Sequence, residues 1–571
     1  MDVRRLAAIL AAALALACTF NPSSALAADG ESSAGSTGAT PAEPDYLPPT
    51  PEDFTVSAAE AVEIANSDPK VAEQSARYGR LVTAIQVNDD GLWQVGYKSG
   101  ADEVVQVKVD GHTGAIVEAW TGDQVAWPMA RGYEGQFGHV LNAAYVWIPM
   151  ALIFLIGLFD FRRPGRIAHL DLLVLLSFGV SHLFFNRGEI GVSVPLVYPA
   201  LVYLLARTLW IGFRGGEGLR PSLPMRWILL VAVVLLAFRA TINIADSGVI
   251  DVGYAGTIGA DRITHAEPLW GEEVFPEDNR FGDTYGPANY LAYVPFELAL
   301  PWSGEWDELA SSHAAALGFD LATIAGLFFC AVRLRPGRAG RELGTLCAFA
   351  WLAYPYTAFT LQSNSNDSLV AALVVWSLAL FARPLARGGL LAAATMVKFA
   401  PLALAPLYAA GFRGLAAPAE GDPPGWRARF SRLRPAAVFA LGFVVVLALM
   451  LVHPAIDSGL ATFFDRTVVS QLDRDSPFSI WGQVDGLQWL QTATLAAAAV
   501  LAVALAFVPR RRDLPRVAAL TAAVLIALQL SVDHWFYLYI PWFFGALVIA
   551  LLLGSSARAT SGGATSATLR P

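Results

Sequence analysis

The chain has 571 residues, 55% of them apolar and 15% charged, against roughly 25% charged in soluble domains. A net charge of −9 and a pI near 5.5 leave no basic stripe for a phosphate backbone, which argues against nucleic acid as a partner. The three cysteines are Cys18, Cys330 and Cys347, the last two inside apolar runs, so neither a disulfide framework nor a metal cluster is indicated.

The first stretch, MDVRRLAAILAAALALACTF, has the charged start and short apolar core of a secretory signal, with Ala25–Ala27 fitting cleavage; an uncleaved anchor is the alternative. This gives an expected signal peptide over 1–27. Residues 28–54, rich in Gly, Ser, Pro and acid, read as a disordered linker. Residues 55–123 look like a small α+β domain. Ser57 and Glu60 form a capping box ahead of a short helix stopped by Pro69. Four alternating strands follow: LVTAIQV, LWQVGYK, VVQVKVD and AIVEAW, the last two joined by the turn DGHTG.

Apolar runs then come near 140–159, 167–186, 193–213, 225–245, 311–333, 342–361, 368–384, 389–411, 435–453, 484–508, 515–531 and 534–553. Several reach the 18–20 residues that cross a bilayer. The expected fold class is therefore mainly α: a polytopic helical membrane protein over 139–555, with about eleven crossings plus one broken hairpin. A disordered cytoplasmic tail is expected over 556–571. Arginines crowd the loops DFRRPGR, RGGEGLRPSLPMR, RLRPGRAGR and PRRRD, which places those loops inside. The alternation holds only if 389–411 is two half-helices bent near Lys398–Pro401, and such breaks are tolerated where they line a protein cavity. Residues 247–310, 362–368 and 463–482 then face outward, with the N-terminal domain.

The outward segments hold the polar chemistry. Asp251 lies just past the fourth helix; Asp246, Asp261, Asp278 and Asp283 compete with it, and any of them could be a solvated loop acid. As a partly desolvated carboxylate, Asp251 would be a general base for an attacking hydroxyl. Arg262 and His265 follow it, and a helix puts Arg262 on the same face three turns on. Arg466 and Arg474 lie in the late outward loop. Each arginine is a candidate for a bidentate phosphate contact or a snorkelling interfacial residue. Lys398 is one of four lysines against 35 arginines and stands alone in the apolar region. Buried in a straight helix it would cost roughly 3 kcal/mol. At a hairpin apex it faces a cavity, and Asp320 is its structural alternative. Gln362, Asn364, Asn366 and Asp367 make a polar cluster suited to hydroxyl recognition. Trp302, Trp306, Trp535, Phe536, Tyr537, Tyr539 and Trp542 read as an aromatic belt.

Two resemblances add to this. The helix and meander of 55–123, with NSDPKV and VDGHTGAIVEAW, resemble a PepSY domain, which implies an extracytoplasmic, often regulatory module. DVGYAGTIGADRI with EPLWG and TYGPANYLAYVPFE, then LQSNSNDS, GGLLAAATMVKFAPLALAPL and FDRTVVSQLDRDSPFSIWG, resemble in order the elements of GT-C glycosyltransferases of family 87. That resemblance implies a polyprenyl-phosphate-linked sugar donor, with Asp251 as base and Tyr254 beside it. Here the aspartate follows the fourth apolar run instead of the first, and no second acid adjoins it.

Physics points the same way. Nucleotide sugars are cytoplasmic, and the chain has no P-loop or dinucleotide fingerprint. A sugar used outside must arrive on a lipid. The expected activity is transfer of mannose or another hexose or pentose to a glycolipid or glycan hydroxyl at the extracytoplasmic face of the cell membrane, with inversion. Charge on the leaving phosphate would be met by arginines, with a divalent cation as an open option. The rival readings are a transporter or flippase of lipid-linked sugars and a membrane sensor or scaffold built on the PepSY-like domain.

Overall fold

A computed structural model describes residues 41–44, 46–88, 91–132, 139–276, 279–304, 309–415, 426–470 and 476–554. The chain divides into two compact units. One holds the described residues up to 132 together with Leu183–Ile190, and the other holds the remainder.

In the N-terminal unit, α1 (Ala58–Asn66) starts at a capping box: the Ser57 hydroxyl accepts from the Glu60 amide, and the Glu60 carboxylate accepts from the Ser57 amide at 2.8 Å. Pro69 does not simply stop this helix. It is the first residue of α2 (Pro69–Tyr78), where its missing N–H is no loss, and Asp68 caps the Lys70 amide. The strands β1 (Val82–Val87), β2 (Leu92–Ser99), β3 (Asp102–Asp110) and β4 (Ile116–Thr121) form an antiparallel meander in sequence order. Its register sets Trp93 opposite Val109, Val95 opposite Val107 and Tyr97 opposite Val105, all six buried. At the β3–β4 turn the Asp110 carboxylate accepts from the amides of His112 and Thr113, and these bonds hold it below the ordinary Asp range. The linker expected over 28–54 ends earlier than supposed. The Ala42 amide bonds the Leu81 carbonyl, and the Phe54 ring lies edge-on to Trp93 at 5.3 Å. An aromatic on a buried tryptophan fixes chain that composition alone marks as loose.

The second unit is helical. Its elements are α3 (Ala144–Leu158), α4 (Ile167–Phe185), α5 (Ile190–Arg214), α6 (Met225–Ala245), α7 (Asp251–Thr264), α8 (Pro287–Glu297), α9 (Ala310–Leu334), α10 (Arg338–Ala353), α11 (Pro355–Gln362), α12 (Asp367–Ala379), α13 (Pro384–Thr395), α14 (Ala405–Ala410), α15 (Trp426–Asp457), α16 (Leu460–Phe464), α17 (Gln488–Ala504), α18 (Leu514–Gln529) and α19 (Ile540–Leu553). Among the described residues, five helices are long and apolar enough to cross a membrane: α4, α5, α6, α9 and the part of α15 from Leu433. The other apolar runs are shorter as helices than as hydropathy. The 13 residues of α12 rise only about 20 Å, short of the roughly 30 Å of a hydrocarbon core.

Two breaks explain the shortening. The run expected over 342–361 is cut at Tyr354, because a proline at 355 removes a donor and rejects a preceding helical residue. The carbonyls freed there meet Arg239 of α6. Its guanidinium donates to the Leu352 carbonyl at 3.3 Å, the Thr357 hydroxyl at 3.0 Å and the Thr357 carbonyl at 3.1 Å. Asp320 of α9 neutralises it at 2.6 Å and also accepts from the Trp351 indole at 2.7 Å. Asp320 is therefore the partner of Arg239, not of Lys398.

The second break divides 384–411. α13 ends at Thr395, a 3₁₀ turn runs over Ala400–Leu404, and α14 follows. The segment returns to where it began, since the Phe381 ring lies 5.3 Å from Tyr408 and 4.9 Å from Phe412. Glycines clasp α13 to α15. A Cβ on Gly388 would sit 2.1 Å from the Phe439 carbonyl oxygen, and one on Gly442 2.2 Å from that of Leu385.

Candidate active site

The first functional side chain is set by a buried polar loop. Gln362 through Ser368 are each at most 1% exposed, so this stretch is interior and not an open helix mouth. Asn364 adopts a left-handed φ of +49°, which asparagine tolerates better than most residues. Its amide donates to the Ser247 hydroxyl and the Gly248 carbonyl, both at 2.9 Å, and accepts from Asn243 at 2.8 Å. Gln362 donates to the Asp246 carbonyl at 3.0 Å, and the Ile250 amide reaches the Ser363 carbonyl at 3.2 Å. Gln362 and Asn364 thus fix the turn that launches α7, and Asp251 is the first residue of that helix.

Asp251 is exposed, where a partly desolvated carboxylate was expected. A helix N-terminus presents its first side chain to the surroundings, and the Asn279 amide takes only the Asp251 backbone carbonyl, at 2.9 Å. Tyr254 points the other way. It is buried and meets Trp302 edge-on at 5.9 Å, so its ring belongs to the core. The small residues of α7 make room for aromatics of α8. Added Cβ atoms on Gly256 and Gly259 would meet Tyr293 and Tyr290 at 2.5 and 2.1 Å.

Arg262 does share the Asp251 face of α7, but eleven residues at 1.5 Å put it about 16 Å away. Its guanidinium closes the C-terminal end of the helix, donating to the Pro268 carbonyl at 2.6 Å and pairing with Glu267 at 3.3 Å. His265 caps the same end, and its hydrogen bond to the Asp261 carbonyl, with the Asp261 carboxylate at 3.2 Å, raises its pKa above the ordinary value. Arg466 is committed too. It grips the buried Asp283 at 2.5 and 3.0 Å, and the Asp283 carboxylate also receives the Gly271 amide. These three side chains are structural ties. Arg474, Trp306 and Asp278 lie outside the described residues.

Lys398 lies in the break in 384–411, between the end of α13 at Thr395 and the 3₁₀ turn at Ala400. It pairs with Asp367 at 2.6 Å. The same Asp367 oxygen accepts from the Trp542 indole at 2.8 Å, while the other accepts from the Ser365 hydroxyl at 2.9 Å. Trp542 stacks on Tyr539 with centroids 4.4 Å apart, and the Lys398 ammonium lies 5.3 Å from both rings.

Two glycines bring this cluster and Asp251 into one neighbourhood. A Cβ on Gly253 would lie 2.3 Å from the Asn364 carbonyl oxygen, so the start of α7 abuts the buried loop. A Cβ on Gly286 would lie 2.2 Å from the Met396 carbonyl oxygen, so Tyr285 stands beside the hairpin break. Burial pushes the Tyr285 phenol well above its ordinary value, and the Asp251 carboxylate adds to the shift, as do Tyr539 and Asp367.

The remaining aromatics overturn the interfacial belt. Trp535, Phe536, Tyr537 and Trp542 are all buried, and His182 stacks on Tyr537 at 4.5 Å. One hollow lies beside Leu378 and Phe412 and another beside Phe154 and Leu551, and neither shares a residue with the cluster. Among the described residues, no three His, Cys, Asp or Glu side chains gather as metal ligands. Sequence reasoning placed Asp367 among polar loop residues and the Tyr539–Trp542 pair in a belt, and passed over Tyr285. The missed signal was charge balance: a lone lysine near a break requires an acid, and Asp367 stands at the end of the neighbouring polar loop.

Residues 284–532 match the family model of Glycosyltransferase family 87. The match supports a membrane glycosyltransferase of the GT-C kind. It contains Gln362, Asn364, Lys398, Arg466 and Arg474 and begins after Asp251, Tyr254, Arg262 and His265. No curated protein matches the chain.

Proposed function

We propose that the protein transfers a sugar from a polyprenyl-phosphate carrier to an acceptor hydroxyl at the extracytoplasmic face of the membrane, with inversion and with Asp251 as general base. The single observation that carries this reading is a family 87 segment whose only lysine, Lys398, stands in the same neighbourhood as the exposed Asp251 carboxylate. The acceptor O–H loses its proton to Asp251 as its oxygen attacks the anomeric carbon. The bond from that carbon to the phosphate oxygen breaks on the opposite face, and the polyprenyl phosphate leaves with the electron pair. The leaving group gains negative charge, so a cation there lowers the barrier more than a proton donor would. Lys398 fits that role by its place at the hairpin break, whereas Arg262 ties the C-terminal end of α7 and Arg466 ties Asp283. An exposed carboxylate suits a base that must meet a separate acceptor, and acceptor binding supplies the desolvation. The N-terminal unit, with its helices packed on a four-stranded meander, suits a PepSY-like extracytoplasmic accessory module.

The test is transfer by the full chain in nanodiscs, with mannosyl and arabinosyl polyprenyl phosphates as donors and membrane glycolipids as acceptors. Asp251→Asn lowers kcat about 10²–10⁴-fold, the range of general-base catalysis, with an unchanged unfolding midpoint. Wild-type turnover in Asp251→Asn refutes the assignment of the base.

A further inference from the structure

The Lys398 environment carries a more specific statement, which rests on the donor reading above. Of the three N–H donors on its ammonium, one has an oxygen acceptor among the described residues, at Asp367. The lysine side chain is 14% exposed and Asp367 1%, so the pair is sealed on the acid side and open on the lysine side. One Asp367 oxygen binds both Lys398 and the Trp542 indole, which locks the cation to the Tyr539–Trp542 stack. The faces of two rings attract the ammonium. Arg239 commits both of its terminal amino groups, to carbonyls, a hydroxyl and Asp320. Among the described residues, Lys398 keeps two N–H groups in reserve.

We propose that Asp367, Tyr539 and Trp542 hold the Lys398 ammonium as a preformed phosphate subsite, which takes the phosphate of a lipid-linked donor on its two unspent N–H groups. Lys398 is the contact residue. Asp367 and Trp542 are positioning residues that act through it. The net charge of the Lys398–Asp367 pair is zero, so charge alone does not hold a free phosphate ion there, and the apolar chain of a lipid-linked phosphate supplies the rest of the affinity.

The test measures binding of farnesyl phosphate, farnesol and inorganic phosphate to the full chain in nanodiscs, alongside donor KM and kcat. Farnesyl phosphate binds at least about tenfold tighter than farnesol, a difference of about 1.4 kcal/mol, and inorganic phosphate at the same concentration does not displace it. Lys398→Gln removes the advantage over farnesol, and Lys398→Arg restores most of it. Trp542→Phe keeps the ring and loses the indole donor; it raises donor KM several-fold with kcat nearly kept, a split that mere loss of folded protein does not produce. Lys398→Gln binding farnesyl phosphate as the wild type does overturns the subsite, as does equal affinity for farnesol. Displacement by inorganic phosphate shows a general anion site and overturns the lipid-donor assignment. If Lys398→Gln does not fold, Lys398→Arg and Trp542→Phe decide the matter by the same readings. Sugar transfer with binding indifferent to Lys398 defeats this inference alone. Lys398-dependent binding without any transfer defeats the glycosyltransferase reading alone.

Discussion

The helical unit contains two acid–base pairs of equal length and opposite use. Arg239–Asp320 and Lys398–Asp367 both close at 2.6 Å. The first pair is 1% and 2% exposed, and its arginine satisfies the carbonyls and hydroxyl of a helix break. The second leaves its cation half-dressed beside a stacked aromatic pair. Position decides the difference: Arg239 faces backbone that lost its helical partners, whereas Lys398 stands on the break itself. A buried pair whose arginine is committed to the carbonyls of a helix break is part of the scaffold, and one whose ammonium has N–H groups to spare among the described residues is a place for a ligand.

The comparison breaks most sharply at Arg239. Arg239→Met strands a buried carboxylate and lowers stability by about 3–5 kcal/mol, read as the unfolding midpoint in detergent, with Arg239→Met/Asp320→Leu recovering most of it. Lys398→Gln leaves Asp367 the Trp542 and Ser365 donors and an amide N–H in place of the ammonium, so the midpoint falls less than in Arg239→Met while donor affinity falls; a loss as large as that of Arg239→Met would erase the distinction. Gly388→Ala comes next. Its Cβ meets the Phe439 carbonyl, and overpacking costs about 1–3 kcal/mol, with donor KM raised because the hairpin bearing Lys398 is displaced. In the N-terminal unit Ser57→Ala removes a cap and costs about 1 kcal/mol in chemical denaturation. The smallest effect is at Asp110. Its folded pKa lies below its unfolded one, so the stability it lends is full above the ordinary Asp range and fades as pH falls through the folded value. Asp110→Asn flattens that acid-side loss in a pH series of midpoints.

Local rules were legible and pairings were not. The Ser57–Glu60 box and the strand alternation over 82–121 follow from spacing within a few residues, and the break near Lys398 follows from the alternation of arginine-rich loops along the chain. Pro69 shows the limit, because a proline that ends one helix also begins the next. Hydropathy found the apolar runs, but it could not distinguish a spanning helix from two short ones divided at Tyr354. Tertiary choice set the rest. Asp320 and Asp367 were equally available to Lys398 by composition, and only the turn after Thr395 selects Asp367. Arg466 looked free until a buried Asp283 from a distant loop claimed it. The Trp535–Trp542 cluster carries the residue types of a headgroup belt, and only its packing against His182 and Tyr356 shows that it is internal.

The interior position of residues 362–368 has a consequence for biogenesis. Seven consecutive polar side chains do not partition into lipid as they leave a translocon; they must wait for partners. Asn243 is made early and Asn289 soon after, but the indole that completes Asp367 belongs to α19. The loop therefore matures only after residue 542 is made, and a polypeptide halted before residue 540 holds the buried Asp367 carboxylate by Lys398 and Ser365 alone.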